Sequence, residues 1–119
     1  MKVFLFLAVC LLCFISCSNN IDPNQLAGTY ITNNGSSESI IITKDHAYKH
    51  IFRTKSGCAF ENKGTWTYDS RTKQISFNYF IFQLDMPAGT WVSKVKTTYK
   101  GEIRLIYSSE EDLYYMKNN

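Results

Sequence analysis

From residue 26 to the end of the chain, polar and apolar side chains alternate in short runs, and no segment sustains a 3.6-residue period. Clusters bearing Gly, Asn, Asp or Pro interrupt the runs about every ten residues, a spacing that suits an all-β sandwich or barrel. The pattern predicts eight strands over about 26–33, 38–43, 47–55, 62–69, 74–82, 90–99, 101–108 and 112–117. The intervening clusters, such as Asn33-Asn34-Gly35-Ser36 and Met86-Pro87-Ala88-Gly89, carry the residue types that permit tight reversals. The expected fold class is all-β: one small antiparallel meander, closed as a barrel or stacked as a sandwich.

Alternation also assigns faces. Tyr48, His50 and Phe52 oppose Lys49, Ile51 and Arg53; Gly64, Trp66 and Tyr68 oppose Lys63, Thr65 and Thr67; Ile103, Leu105 and Tyr107 oppose Glu102, Arg104 and Ile106. One aromatic and one polar face marks antiparallel strands half-exposed to water. The chain is rich in rings, with 8 Tyr, 8 Phe and 2 Trp, and such residues suit a pleated, half-buried surface. Residues 77–82 (Phe-Asn-Tyr-Phe-Ile-Phe) are apolar on both faces, so that strand is central or lies under a loop or a partner. Gly-Thr-aromatic occurs at Gly28-Thr29-Tyr30, Gly64-Thr65-Trp66 and Gly89-Thr90-Trp91. The irregular spacing excludes a repeat array; the motif reads as strand-entry packing, a ring covering the bare backbone of a glycine.

The first 16 residues are of another kind. Met1-Lys2 gives a short basic start, and Val3 through Ile15 are apolar without interruption. Spanning a bilayer takes about 20 residues, so the run has the length of a signal-peptide core, expected as a helix projecting from the domain. Phe14-Ile15-Ser16-Cys17 resembles the lipobox of bacterial lipoproteins, with Phe14 where Leu is usual. The resemblance implies cleavage before Cys17, acylation of its thiol, and attachment to a membrane through the lipid anchor. Ser18 after the cysteine implies, by the sorting of such proteins, passage to the outer membrane. The domain reading is therefore 1–16 signal peptide, 17–25 lipidated Cys and polar tether, and 26–119 one all-β domain.

Similarly, Leu26-Ala27-Gly28-Thr29-Tyr30 resembles the opening strand of lipocalins, with Tyr30 in place of the usual Trp. That resemblance implies a late basic residue packed over the ring, for which Arg104 is the candidate.

Composition narrows the function classes. The formal charge of +3 falls to +2 once Lys2 leaves with the signal, and the basic residues form no stripe, which excludes a nucleic-acid partner. Of four cysteines, Cys10 and Cys13 lie in the signal and Cys17 takes lipid. Cys58 alone cannot form an intramolecular disulfide and reads as a small apolar filler. Small lipoprotein barrels that inhibit lysozymes usually carry a disulfide, which this domain cannot form. His46 and His50 would stand ~13 Å apart along a strand, too far to share a metal. Glu110-Glu111-Asp112 reads as a solvated turn. No phosphate loop, nucleophile elbow or metal-ligand spacing is present, so no catalytic residue, no metal and no cofactor is expected.

Two readings follow. In one, the domain is a non-catalytic interaction or inhibitor-type module meeting a protein or glycan in the cell envelope. In the other, it is a lipocalin-like binder of a small apolar ligand. Candidate ligand or partner residues are Tyr48, His50, Trp66, Phe80 and Phe82. Because an eight-stranded barrel is only wide enough for its own side chains, the expectation is a filled interior and an exposed aromatic patch including at least one of Phe80 and Phe82.

Overall fold

The computed structural model describes residues 21–35, 37–54, 56–82 and 86–118. Cys17, its lipidation and the expected signal helix over 1–16 lie outside the described residues.

Eight antiparallel strands close into a barrel in simple up-and-down order. They are β1 (Gly28–Thr32), β2 (Ser39–Ile42), β3 (Ala47–Arg53), β4 (Ala59–Asp69), β5 (Gln74–Phe80), β6 (Gly89–Thr97), β7 (Ile103–Ser108) and β8 (Leu113–Asn118). Each pairs with its sequence neighbours, and β8 returns to β1 with Tyr30 opposite Lys117 and Thr32 opposite Tyr115. Closure leaves no strand edge unpaired, the liability of any open sheet.

The alternation read from sequence matches the pleat. Tyr30, Ile40, Ile42, Tyr48, Trp66 and Ile75 face inward and are essentially without solvent exposure. Trp91, on β6, stacks on Phe77 across the β5–β6 pair, with centroids 5.1 Å apart. All three Gly-Thr-aromatic rings are buried, although only Gly28 and Gly89 begin strands. Gly64 sits inside β4 for a different reason. A Cβ there would lie 2.1 Å from the Asn78 carbonyl oxygen and 2.8 Å from the Tyr48 ring, its cross-strand partner.

Two irregularities break the period of two. The β5–β6 register shifts between Phe77 and Phe80, and Tyr79 takes a positive φ of 61°. Asn78 and Tyr79 both turn from the core, so Phe77 and Phe80, three apart, both point inward. This bulge is why 77–82 looks apolar on both faces. Past it, Asn62 stands in for lost ladder bonds: its Nδ2 donates to the Tyr79 carbonyl at 2.9 Å, and its Oδ1 accepts from Ile81 N–H at 3.0 Å. A second shift, between β7 and β8, leaves Tyr107 outside the paired register.

The barrel has two unlike ends. At the entry end, a 3-10 turn at Pro23–Leu26 closes the bottom, capped by Asp22 in a reciprocal box with Gln25. Leu26 is fully buried, and Tyr30 Oη donates to its carbonyl at 2.8 Å. Ile21 packs against the same core. The stretch read as tether up to residue 25 thus contributes its last residues to the barrel floor, because a Pro at the first position and an Asp cap favour a turn there.

Arg104 does not cover Tyr30. It lies on the outer wall with its guanidinium 4.4 Å over the Tyr114 ring. Lys117, cross-strand from Tyr30, is the basic residue at that place, and its Nζ donates to the Gln25 carbonyl at 2.7 Å. Cys58 is exposed in the β3–β4 turn rather than buried as filler, because Phe52–Phe60 pairing carries the hairpin beyond the barrel wall.

Candidate functional site

The connections β1–β2, β3–β4, β5–β6 and β7–β8 gather at the end opposite the 3-10 turn. There the barrel opens into a mouth of about 130 Å³. Phe80, Phe82, Tyr107, Leu113 and Tyr115 form its apolar walls, and Thr32, Asn34, Glu38 and His50 its polar ones.

Each wall residue arrives for a traceable reason. The β5 bulge turns Phe80 inward, and the β7–β8 irregularity releases Tyr107 toward the rim. Glu38 precedes β2 in phase with Ile40 and Ile42, both inward-facing, so the pleat aims a carboxylate at the barrel axis. His50 occupies the same layer on β3, opposite Ile40.

A hydrogen-bonded set joins these groups. Tyr115 Oη donates to Glu38 Oε2 at 2.7 Å, and His50 Nε2 lies 3.3 Å from the same oxygen. His50 is 3% exposed and stacks on Phe80 at 4.5 Å with planes 12° apart. With Nε2 directed at Glu38, its Nδ1 is buried without a hydrogen-bond partner. The His50 bond, the Tyr115 bond and the nearby imidazole hold the Glu38 carboxyl below its ordinary value against the opposing effect of burial. Tyr115 is pushed up, first by burial and then by its bond to Glu38. Tyr107 is raised by burial and then by the charges of Glu38 and Glu111. Glu38 thus brings an ionised carboxylate to the mouth.

The sequence candidates divide. His50, Phe80 and Phe82 meet at the mouth, Phe80 fully buried and Phe82 41% exposed. Tyr48 lies deeper, edge-on to Phe77 with centroids 5.0 Å apart. Its hydroxyl donates to Asn78 O at 2.7 Å, and burial pushes its pKa up to about 12. Trp66 belongs to the other end. Its Nε1 donates to Thr43 O at 2.9 Å and its ring lies 4.7 Å from His46; it is a structural plug, out of reach of any partner. Glu38, Tyr107 and Tyr115 complete the site. Glu38 was absent from the candidates, although a carboxylate in phase with two inward isoleucines is a signal the sequence carries.

Below the mouth, Tyr48, Phe77, Phe80 and Trp91 pack ring against ring, with centroids 5.0–5.1 Å apart for Tyr48–Phe77, Phe77–Trp91 and Phe80–Trp91. Small-molecule pockets usually span roughly 300–1,000 Å³, which this mouth does not approach. Two larger depressions lie outside the barrel: about 350 Å³ beside Ile21, Lys73, Lys94 and Lys96, and about 450 Å³ along Asn78, Tyr79 and Thr90. Both are open surface grooves. Among the described residues no cluster of His, Cys, Asp or Glu could hold a metal ion.

Closed topology, short strands and a single turn under the floor define a small lipocalin-like barrel. A solved lipocalin-like protein from Bacteroides uniformis shares the fold, with a TM-score of 0.54 and 18% sequence identity over 78% of this chain and 98% of that one. No protein-family model and no curated protein matches the sequence.

Proposed function

We propose that this chain is an envelope lipoprotein, anchored through Cys17, whose barrel is a non-catalytic module that docks a protein or glycan with its mouth. One observation carries the reading: apolar side chains stand exposed around the recess at the mouth. Phe60, Phe82 and Tyr107 are each about two-fifths exposed, and Met86 about half. Scattered apolar residues are ordinary, whereas a contiguous patch around a recess marks a partner site.

Polarity supports the tethering. Ile21 follows Cys17 by four residues and enters at the floor, beside Lys73, Lys94 and Lys96. Lysines suit an anionic membrane surface, while Glu38 and the Glu110-Glu111-Asp112 turn stand at the far end. An anchored barrel would present its mouth away from the bilayer, toward the outer membrane's surroundings.

Two experiments test this. A palmitate analogue should label the wild type and leave Cys17→Ser unlabelled; label in the variant removes the anchor. A photo-crosslinking phenylalanine analogue at Phe82 should capture a partner in cells, and the same analogue at Val92, on the exposed outer wall, should not. Equal capture at both positions would reject the mouth as the docking end.

A further inference from the structure

We propose that the mouth is a socket for one basic side chain, Lys or Arg, of a partner protein, with Glu38 as its anchoring carboxylate. This rests on the mouth being the docking end and specifies what enters it.

Glu38 is built as a recognition group. Tyr115 and His50 both bond its Oε2. The side chain remains 40% exposed. Two neighbours therefore fix the carboxylate's direction while part of it faces the mouth. Beside it stand the exposed rings of Phe82 and Tyr107, and aromatic faces attract cations within about 6 Å of the centroid.

Charge decides the chemical class of the occupant. Among the described residues, Glu38 is the only carboxylate lining the mouth and no Lys or Arg lines it, and the β7–β8 turn adds Glu110, Glu111 and Asp112 at the rim. An anion would be repelled. A neutral apolar group would strip water from a carboxylate with nothing in return, a costly exchange. An ammonium or guanidinium pairs with the exposed carboxylate and rests on the rings of Phe82 and Tyr107. The volume of about 130 Å³ equals roughly four waters at their ~30 Å³ liquid share, enough for a charged tip and part of its stem. The exposed rings outside the mouth need a larger body to cover them, so the cation belongs to a macromolecule. A basic side chain carries its charge on a flexible stem that can enter a narrow opening, whereas an amino sugar carries its amine directly on a bulky ring.

The test is an NMR titration of the isotopically labelled protein. The probes are four Gly-Ser peptides with a central Arg, Lys, citrulline or norleucine, and free glucosamine. Arg and Lys peptides should give saturable shifts at Phe82, Tyr107 and Tyr115, and the neutral peptides should bind about tenfold or more weakly. Glu38→Gln should erase that difference while its remaining spectrum stays that of the folded barrel. Citrulline and norleucine peptides binding as well as Arg and Lys would overturn the cation socket yet leave the docking end standing. Binding by glucosamine alone would overturn the protein side chain as occupant. No shift at the mouth with any probe overturns the proposal, and silence of the Phe82 crosslinker as well removes the docking reading.

Discussion

Gly64→Ala adds a single methyl and is expected to be among the most damaging small changes in this barrel. Without a clash it would help, because Gly inside a strand is about 0.5–1 kcal/mol worse than Ala. The structure reverses the sign. The new Cβ would lie 2.1 Å from Asn78 O and 2.8 Å from Cε1 and Oη of Tyr48, where a carbon and a carbonyl oxygen normally stay about 3.3 Å apart. Roughly an ångström of overlap falls on backbone, at the bulge whose Asn78 carbonyl also accepts the Tyr48 hydroxyl. Relief requires β5 to move outward, which breaks that bond. Overpacking costs about 1–3 kcal/mol and the lost buried bond about 1 more, giving a loss on the order of 2–4 kcal/mol. Urea unfolding reads it directly. With a slope of about 1–3 kcal/mol/M, the midpoint should fall by on the order of 1–2 M. A double-mutant cycle checks the mechanism, since Tyr48→Phe should cost less in the Gly64→Ala background than alone. An unchanged or raised midpoint would refute the close approach of β3, β4 and the β5 bulge.

Trp66→Ala should destabilise by about 3–5 kcal/mol, from lost transfer energy plus a cavity, while Trp66→Phe should cost about 1 kcal/mol for the bond to Thr43 O; losses under about 1 kcal/mol for the alanine variant in thermal or urea melts would place the ring at the surface. Glu38 gives a pH signature. Its folded carboxyl titrates below its ordinary 4.5, so its contribution is complete above that value and fades as pH falls through the lowered one. The stability gap between wild type and Glu38→Gln should therefore be widest near neutrality and close on acidification below about pH 4.5; a gap that widens in acid contradicts the assigned bonds.

Much of this was legible in the sequence. The period of two located eight strands and aimed Tyr48, His50, Trp66 and Leu105 inward, because the pleat converts alternation into faces without reference to distant residues. Four things were not legible. The bulges at Tyr79 and Tyr107 insert one residue each, and neither is marked by Gly or Pro, so the local pattern gave no sign that Phe77 and Phe80 share a face. Height along the barrel depends on cross-strand register rather than on alternation. Trp66 and His50 therefore looked equivalent in sequence yet stand at opposite ends. Glu38 opened an expected strand without standing out as a site, and only its partners, Tyr115 far along the chain and His50 across a hairpin, make it one. The 3-10 floor was hidden because Asp22-Pro23-Asn24-Gln25 has a linker's composition, and its role comes from packing Ile21 and Leu26 under the core.

The central claim is that the barrel works at its mouth and has no room inside, and calorimetric titration with a long-chain fatty acid and with an apolar naphthalene fluorophore tests it most directly. A filled interior predicts no saturable one-to-one binding by the folded protein. Saturable binding of one molecule per barrel, abolished by narrowing the interior with Val95→Phe and unaffected by changes at Phe82 and Glu38, would contradict the account and place the ligand within the barrel.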